Sequence, residues 1–174
     1  MPRDLLKFFT AIGCTGLLLS GWSDYNPNAV LDCEQAAFNL ANNGTFNSLK
    51  LLSANMLRNE NVKLLSVEAY QDSIRVILNL SDTRYSGNTL RNDSLHTGDY
   101  IFSLRNQYPD AGKVVIGVKN GKDYTFLSTD TSSITIREMD VANRNLSGSY
   151  YVETVNPVMK LSGVFSKVCF QSIQ

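Results

Sequence analysis

The sequence is poor in the residues from which most catalytic and metal sites are built. Its 174 residues include one histidine, His96, and three cysteines, none of which are spaced as a CxxC pair. A lone histidine cannot build a histidine-rich metal site, and the cysteine spacing indicates neither zinc binding nor dithiol chemistry. Glycine-rich phosphate loops are also missing. We therefore predict no catalytic residue, no metal ligand and no cofactor, and we interpret His96 as a surface loop residue.

The chain also lacks an excess of positive charge. It carries 16 basic and 16 acidic residues, for a formal net charge of zero. Proteins that bind nucleic acid by neutralising phosphates usually carry a basic excess or a basic cluster, and here the basic residues are scattered singly. Nucleic acid is therefore not an expected partner.

An apolar stretch long enough to span a membrane as a helix is missing as well. The apolar run at residues 8–19 is shorter than the roughly 20 residues that a transmembrane helix needs. Arg3 and Lys7 lie near its start and small residues follow it up to Ser23, which is typical of a secretory signal peptide. The alternative is a buried N-terminal helix. We expect a signal peptide at residues 1–23, a polar tether at 24–32 and a single β domain at 33–174.

The end of this segment is similar to the lipidation motif of bacterial lipoproteins. Residues 18–21 read Leu-Leu-Ser-Gly, but Trp22 stands where the lipid-bearing cysteine belongs. Cys14 follows small residues without the usual leucine, so it is a poor lipidation site. Membrane anchoring is therefore doubtful, and we favour a released periplasmic or secreted protein over one lipidated at Cys14.

Two cysteines, Cys33 and Cys169, remain in the predicted domain, near its two ends. An even pair in an exported chain suggests a disulfide, which requires the first and last strands to be neighbours. The alternative is a pair of free, buried cysteines that pack as small apolar side chains.

The rest of the chain has the patterning of short strands joined by polar turns. Residues 74–80 alternate, with Ile74, Val76, Leu78 and Leu80 on one face and Arg75 and Asn79 on the other, although Ile77 breaks the pattern. With residues 62–70 they predict a hairpin. Asn120-Gly121 predicts a second hairpin with a type I′ turn. The expected class is all-β, an antiparallel β-sandwich (alternatively a barrel) of about eight strands. Residues 33–41 are compatible with a short N-terminal helix.

Five short segments follow one another in the second half of the chain. They are Thr97-Gly98-Asp99-Tyr100, Asn120-Gly121, Ile134-Thr135-Ile136 with Asp140, Leu146-Ser147-Gly148-Ser149-Tyr150 and Leu161-Ser162-Gly163-Val164-Phe165. The succession resembles the small exported lipoprotein-type domains of Bacteroidetes-like bacteria, in particular domain of unknown function 6252. Tyr150 replaces the usual phenylalanine, and Trp22 the lipid-bearing cysteine. The resemblance implies an exported β domain and no reaction.

The sequence offers three alternatives for a functional site, each based on a set of residues with similar side chains. A calcium site would use Asp82, Asn88, Asn92, Asp93 and Asp99, around the long polar loop. A hydrolase would use two of Glu68, Asp72, Glu138, Asp140 and Glu153. A barrel-like carrier of a small apolar ligand would use Phe102, Tyr124, Phe126 and Phe165.

We interpret the protein as a non-catalytic binding module of the cell envelope, with a glycan or another protein as its partner. Its expected location is periplasmic, secreted or associated with the outer membrane. An exposed row of tyrosines, such as Tyr150 or Tyr151 beside polar residues, would favour a glycan. Tyr150 and Tyr151 are adjacent in a predicted strand and point to opposite faces, so at most one of them is exposed.

Labelling with a radioactive fatty acid tests the predicted lack of an anchor. Because position 22 carries no thiol, we expect no label in the protein when it is expressed in a bacterium with an active lipoprotein pathway. Incorporation that disappears in a Cys14→Ser variant would overturn this prediction.

Overall fold

The computed structural model describes residues 33–42, 44–59, 61–84 and 92–173. The predicted signal peptide and tether lie outside these ranges. The described residues form eleven strands and no helix. The strands are β1 (Ala37–Asn42), β2 (Thr45–Asn59), β3 (Val62–Gln71), β4 (Ile74–Asp82), β5 (Gly98–Ser103), β6 (Ala111–Asn120), β7 (Asp123–Phe126), β8 (Thr129–Asp140), β9 (Asn145–Thr154), β10 (Lys160–Cys169) and β11 (Gln171–Ile173).

All eleven strands belong to one curled sheet with the shape of a half-barrel. Its order is β5-β8-β9-β10-β1-β2-β3-β4-β6-β7, and every neighbouring pair is antiparallel. The short β11 adds to the far end of β2 in parallel. Register shifts in the β2–β3, β8–β9 and β9–β10 pairs mark irregularities of the kind that bend a sheet. The expected all-β antiparallel class is confirmed, with eleven strands rather than about eight.

The possible N-terminal helix at residues 33–41 is wrong for the part that forms β1. Cys33 to Ala36 make a turn, in which the Ala36 amide donates to the Cys33 carbonyl at 2.8 Å, and the strand follows directly. Phe38 and Leu40 point into the core, while Asn39 between them faces outward. This two-residue period belongs to a strand, and β1 hydrogen-bonds to a neighbour on each side.

Side chains close the curl where β8 meets β6. Thr129 Oγ1 donates to the Val114 carbonyl at 2.6 Å, and Ser132 Oγ donates to the Gly112 carbonyl at 2.9 Å. The Val114 amide in turn donates to Ser132 Oγ at 3.0 Å. Both hydroxyl side chains are buried. They form the hydrogen bonds that backbone groups at this edge of β6 would otherwise make with a neighbouring strand.

The predicted hairpin of β3 and β4 is confirmed, with its alternation. Val76, Leu78 and Leu80 are buried against the inward-facing side chains of β3, whereas Arg75 and Asn79 lie on the outer face. The strands turn at Asp72-Ser73, one residue later than the predicted Gln71-Asp72.

The second predicted hairpin, of β6 and β7, is also confirmed, with a different turn. Asn120 pairs with Asp123, so the two turn residues are Gly121 and Lys122. Gly121 has φ +66°, and Lys122 is not among the residues with positive φ. This is the φ pattern of a type II′ turn, in which glycine at the first central position supplies the only positive φ, rather than the expected type I′ turn.

The repeated Leu-Ser-Gly segments of β9 and β10 lie side by side and interlock. Gly148 pairs with Phe165, and Gly163 pairs with Tyr150. Each aromatic ring covers the glycine opposite, because a Cβ at Gly148 would overlap the Phe165 ring and one at Gly163 would overlap the Tyr150 ring. The repeat therefore provides two reciprocal pairs, each of a glycine and an aromatic residue.

The two predicted domain cysteines are bridged. Cys33 and Cys169 form a disulfide with their Cα atoms 5.9 Å apart. The bridge lies beyond the pair of Ala37 and Ser166, where β1 and β10 run side by side. With a sequence separation of 136 residues, the chain-entropy model gives a stabilisation of about 5 kcal/mol.

Replacing Gly163 by alanine tests the interlocked pairs. The added Cβ would meet the Asn39 carbonyl and the Tyr150 ring, neither of which has free space to move into. We expect a loss of roughly 1–3 kcal/mol in the free energy of unfolding, as for overpacked cores. Urea unfolding of the full chain measures this loss.

Ser162→Ala is the matched control, because Ser162 is the neighbouring residue of β10 and faces solvent. It should change the free energy of unfolding by less than about 0.5 kcal/mol. Equal effects of the two substitutions would contradict the proposed packing.

Candidate functional site

One half of the outer surface is a polar face built from the outward-facing side chains of β8, β9 and β10. We call it the polar face, and its polar and aromatic members are Thr131, Ser133, Thr135, Ser149, Tyr151, Glu153, Lys160 and Ser162. The apolar Val164 of β10, which is 43% exposed and pairs with Ser149, also lies on this face. Cross-strand pairing fixes their positions, because Tyr151 pairs with Ser133 on one side and with Ser162 on the other. A half-buried aromatic ring thus lies in a row of hydroxyl groups.

Tyr151 is held against the sheet by its own strand. Its hydroxyl donates to Glu153 Oε2 at 3.2 Å, and Lys160 Nζ lies 3.5 Å from the same carboxylate oxygen. Tyr151 and Glu153 are two residues apart on the same face, so this hydrogen bond holds the tyrosine side chain along β9, where it is partly exposed. Burial, followed by the hydrogen bond to Glu153, raises the pKa of Tyr151. The hydroxyl therefore remains a donor at neutral pH.

A buried polar network lies at one end of the half-barrel, where β4 ends. Asp82 is inaccessible to solvent, and its carboxylate accepts a hydrogen bond from Tyr100 Oη at 2.6 Å. The His96 amide donates to it at 2.9 Å, and His96 Nδ1 lies 3.1 Å away. Arg84 donates from its backbone amide and from Nε, at 3.1 and 3.2 Å, and Nε also contacts Asp110 at 3.0 Å.

Lys63 is the second buried charge at this end of the sheet. Lys63 lies opposite Asp82 in the register of β3 and β4, and both side chains are fully buried. Lys63 Nζ donates to the Ser94 carbonyl at 2.6 Å and to Asn92 Oδ1 at 3.1 Å. Lys63 and Asp82 together fasten residues 92–97, which we call the anchored loop.

Asp93 ties the anchored loop to three other parts of the fold. Ser172 Oγ of β11 donates to it at 2.9 Å. Arg58 of β2 and Arg144 of the β8–β9 turn lie 3.6 and 3.9 Å from its carboxylate oxygens. The first half of the anchored loop is thus bound by groups from distant parts of the chain.

The network sets the protonation of its two buried charges. Burial alone would raise the pKa of Asp82, but hydrogen bonds from Tyr100 and from the backbone amide of His96 outweigh it. With the further hydrogen bonds from Arg84, they hold the pKa of Asp82 well below its ordinary value. Burial lowers the pKa of Lys63, and the nearby Asp82 partly offsets this effect.

The structure divides the residues of the calcium alternative between separate contacts. Asp82 and Asn92 belong to the buried network, Asp93 binds the three groups just described, and Asp99 accepts a hydrogen bond from Thr135 at 2.6 Å. Asn88 lies outside the described residues. Within the described ranges no group of three or more histidine, cysteine, aspartate and glutamate residues is placed to hold a metal ion.

The five carboxylates of the hydrolase alternative are likewise spread over the sheet. Glu68 pairs with Arg75, Glu153 with Lys160, Asp140 accepts from Asn143, Asp72 lies in the β3–β4 turn and Glu138 is exposed on β8. Asp82, absent from that set, is the buried carboxylate among the described residues.

The four aromatic residues of the carrier alternative do not surround one cavity. Phe165 packs on Phe38 in the core, with ring centroids 6.0 Å apart. Phe126 lies over Gly117 and Tyr124 beside Arg75, both near the β7 edge, while Phe102 lies near Lys113. Tyr150 is buried and Tyr151 is half-buried, so the expectation that at most one of them is exposed is confirmed.

Comparisons with known proteins add no relative. No protein-family model matches the chain, and neither curated proteins nor solved structures give a match. The resemblance to domain of unknown function 6252 therefore remains a prediction. The described ranges also contain no helix of the length and apolar character that a membrane crossing requires.

Replacing Asp82 by asparagine tests the buried network through its pH dependence. Because the folded pKa lies below the unfolded value, the unfolded chain binds more protons between the two, so the stabilisation is present above about pH 4 and lost as the pH falls below it. We expect the variant to be less stable than the wild type at pH 7, by roughly 2 kcal/mol or more. The difference should shrink between pH 5 and pH 2.

Denaturant unfolding at several pH values measures this difference. Tyr100→Phe is a second variant, since it keeps the ring and removes one hydrogen bond to Asp82. It should give a smaller effect of the same sign. If the difference between wild type and Asp82→Asn did not change with pH, the assigned ionisation of Asp82 would be wrong.

Proposed function

We propose that this protein is a non-catalytic binding module, exported to the cell envelope, that binds a glycan on its polar face. The observation that carries the proposal is the row in which Tyr151 lies between Ser133 and Ser162. The partly exposed ring of Tyr151 can stack on the apolar face of a sugar. The hydroxyl groups beside it can donate to and accept from sugar hydroxyls.

The charged pair beside the ring extends this chemistry. Glu153 offers carboxylate oxygens as acceptors, and Lys160 is well exposed and offers an ammonium donor. Both point from the outer face next to Tyr151, so one bound sugar can contact the ring and the pair together. Binding surfaces of this kind combine an aromatic body with a few placed polar groups.

Export is supported by two observations of different kinds. Disulfides persist in oxidising compartments, and Cys33 and Cys169 are bridged. The sequence of residues 1–23 is typical of a signal peptide. An envelope location would give the polar face access to polysaccharides.

A glycan array probed with the full chain tests the proposal. We expect binding to at least one class of polysaccharide, and Tyr151→Ala should weaken it more than tenfold, as for an aromatic residue at the centre of a contact. Tyr151→Phe should retain most of the affinity, because it keeps the ring. Titration calorimetry with the best oligosaccharide gives the affinities.

Tyr108→Ala is the control, because Tyr108 is 41% exposed but lies outside the polar face. It should leave glycan binding unchanged. An array without signal would reject the glycan and leave a protein partner as the alternative. Glycan binding that survives in Tyr151→Ala would reject the polar face as the site.

A further inference from the structure

The other half of the outer surface holds an apolar groove of about 550 Å³, which we call the outer groove. Its floor is formed by outward-facing side chains of β2, β3, β4 and β6, and Phe102 of β5 stands at one side. Six of its lining residues define it: Leu57, Leu64, Asn79, Phe102, Ala111 and Lys113. Small-molecule sites in proteins have volumes of roughly 300–1,000 Å³.

The register explains why the groove is apolar. Ile173 pairs with Leu57, and Leu57 pairs with Leu64, so three large apolar side chains lie side by side across β11, β2 and β3. They are 45%, 39% and 38% exposed. Beyond Leu64 the same row continues through Ser81 to Ala111. Contiguous exposed apolar side chains of this kind often mark a site of binding.

Lys113 supplies a single charge at the rim of the groove. Its Nζ lies 4.9 Å from the centre of the Phe102 ring, which holds the ammonium beside the apolar wall. Lys113 is the charged member among the described lining residues, and none of the ion pairs within the described ranges involves it. The groove therefore combines an apolar trough with one positive charge and no negative one.

We propose that the outer groove binds the anion of a long-chain fatty acid, with the hydrocarbon chain on Leu57 and Leu64 and the carboxylate at Lys113. The chain would lie across the strands from β2 to β6, over the row that runs from Leu57 and Leu64 through Ser81 to Ala111. The site is separate from the polar face, which is formed by β8, β9 and β10. Its existence therefore does not depend on glycan binding.

Three probes with the same hydrocarbon chain and different head groups test the proposal. They are dodecanoate, dodecanol and dodecyltrimethylammonium. The two ions are titrated calorimetrically into the full chain below their micelle concentrations, and dodecanol is tested below its solubility limit by competition with dodecanoate. We expect dodecanoate to bind most tightly and the cation most weakly, with a difference of roughly fivefold to tenfold that falls as salt is added. Shortening the chain should weaken binding by about twofold to fourfold per methylene.

Two substitutions separate the head group from the hydrocarbon chain. Lys113→Gln should remove most of the preference for dodecanoate over dodecanol. Leu64→Asn should weaken all three probes by more than about fivefold, because it removes apolar contact area from the floor. Val141→Asn is the matched control, since Val141 is 39% exposed and lies in the β8–β9 turn, and it should change nothing.

The outcomes that would overturn the proposal are equally specific. Dodecanoate binding that is unchanged in Leu64→Asn, or weakened equally by Val141→Asn, would show that the probe binds elsewhere. Equal affinity for the anion and the cation in the wild type would remove the role of Lys113. No detectable binding of any probe to the folded chain would reject the site. Because Tyr151→Ala should leave dodecanoate binding intact, failure here is distinguishable from failure of glycan binding.

Discussion

The pairing of β1 with β10 is the constraint on which the rest of the structure depends. Most neighbouring strands of this sheet follow one another in the chain, but β1 and β10 are far apart in sequence and meet only because their side chains fit. Phe38 packs against Tyr150 at 5.4 Å and against Phe165 at 6.0 Å between ring centroids. Tyr150 Oη reaches over Gly163 to donate to the Asn39 carbonyl at 3.0 Å. The disulfide links the same two strands covalently. The contact between β1 and β10 is therefore held by packing, a hydrogen bond and the bond between the cysteines.

The pairing of β1 with β10 also determines where the apolar core and the buried charges lie. Once β1 joins the two groups of strands, the inward-facing side chains form one apolar core, and the buried charges Lys63 and Asp82 are confined to one end. At that end the charges do not point at open solvent but hold the anchored loop, so the loop closes the end of the half-barrel. The hydrogen bonds around Asp82 satisfy its buried carboxylate, so the charge is not left unpaired. This is the condition under which such a network stabilises a fold.

The parts of the fold that sequence could predict are those set by local alternation. Residues 74–80 alternate apolar and polar, and β4 has this pattern because its neighbours on both sides bury the same face. The prediction of a helix at residues 33–41 was wrong because short alanine-containing segments suit either a helix or a strand. Only the strands that pair with β1 decide between the two. The role of Asp82 could not be predicted for a similar reason. Its partners lie more than a dozen residues away, Tyr100 in β5 and His96 in a loop whose polar residues resemble any solvated turn. The two cross-strand rows could not be predicted either, since they depend on register between strands that are distant in the chain.

The outward residues of a strand do not pack in the core, so they can differ from strand to strand without changing the fold. The two halves of the outer surface differ for this reason. On β8, β9 and β10 the outward positions are mainly serine, threonine and charged residues around Tyr151. On β2 and β3, Leu57 and Leu64 are large apolar residues at outward positions, beside polar ones such as Asn55 and Ser66. Neither set is needed to fill the core, which the inward positions already complete. An apolar side chain on an outward position gains little for folding while it remains exposed, so the concentration of such residues in one row calls for a binding partner to cover them. The same reasoning applies to Tyr151, whose ring is oriented by Glu153 rather than by the core. We therefore place both proposed sites on the outer faces of the strands, the one for a sugar on the polar face and the one for a hydrocarbon chain in the outer groove.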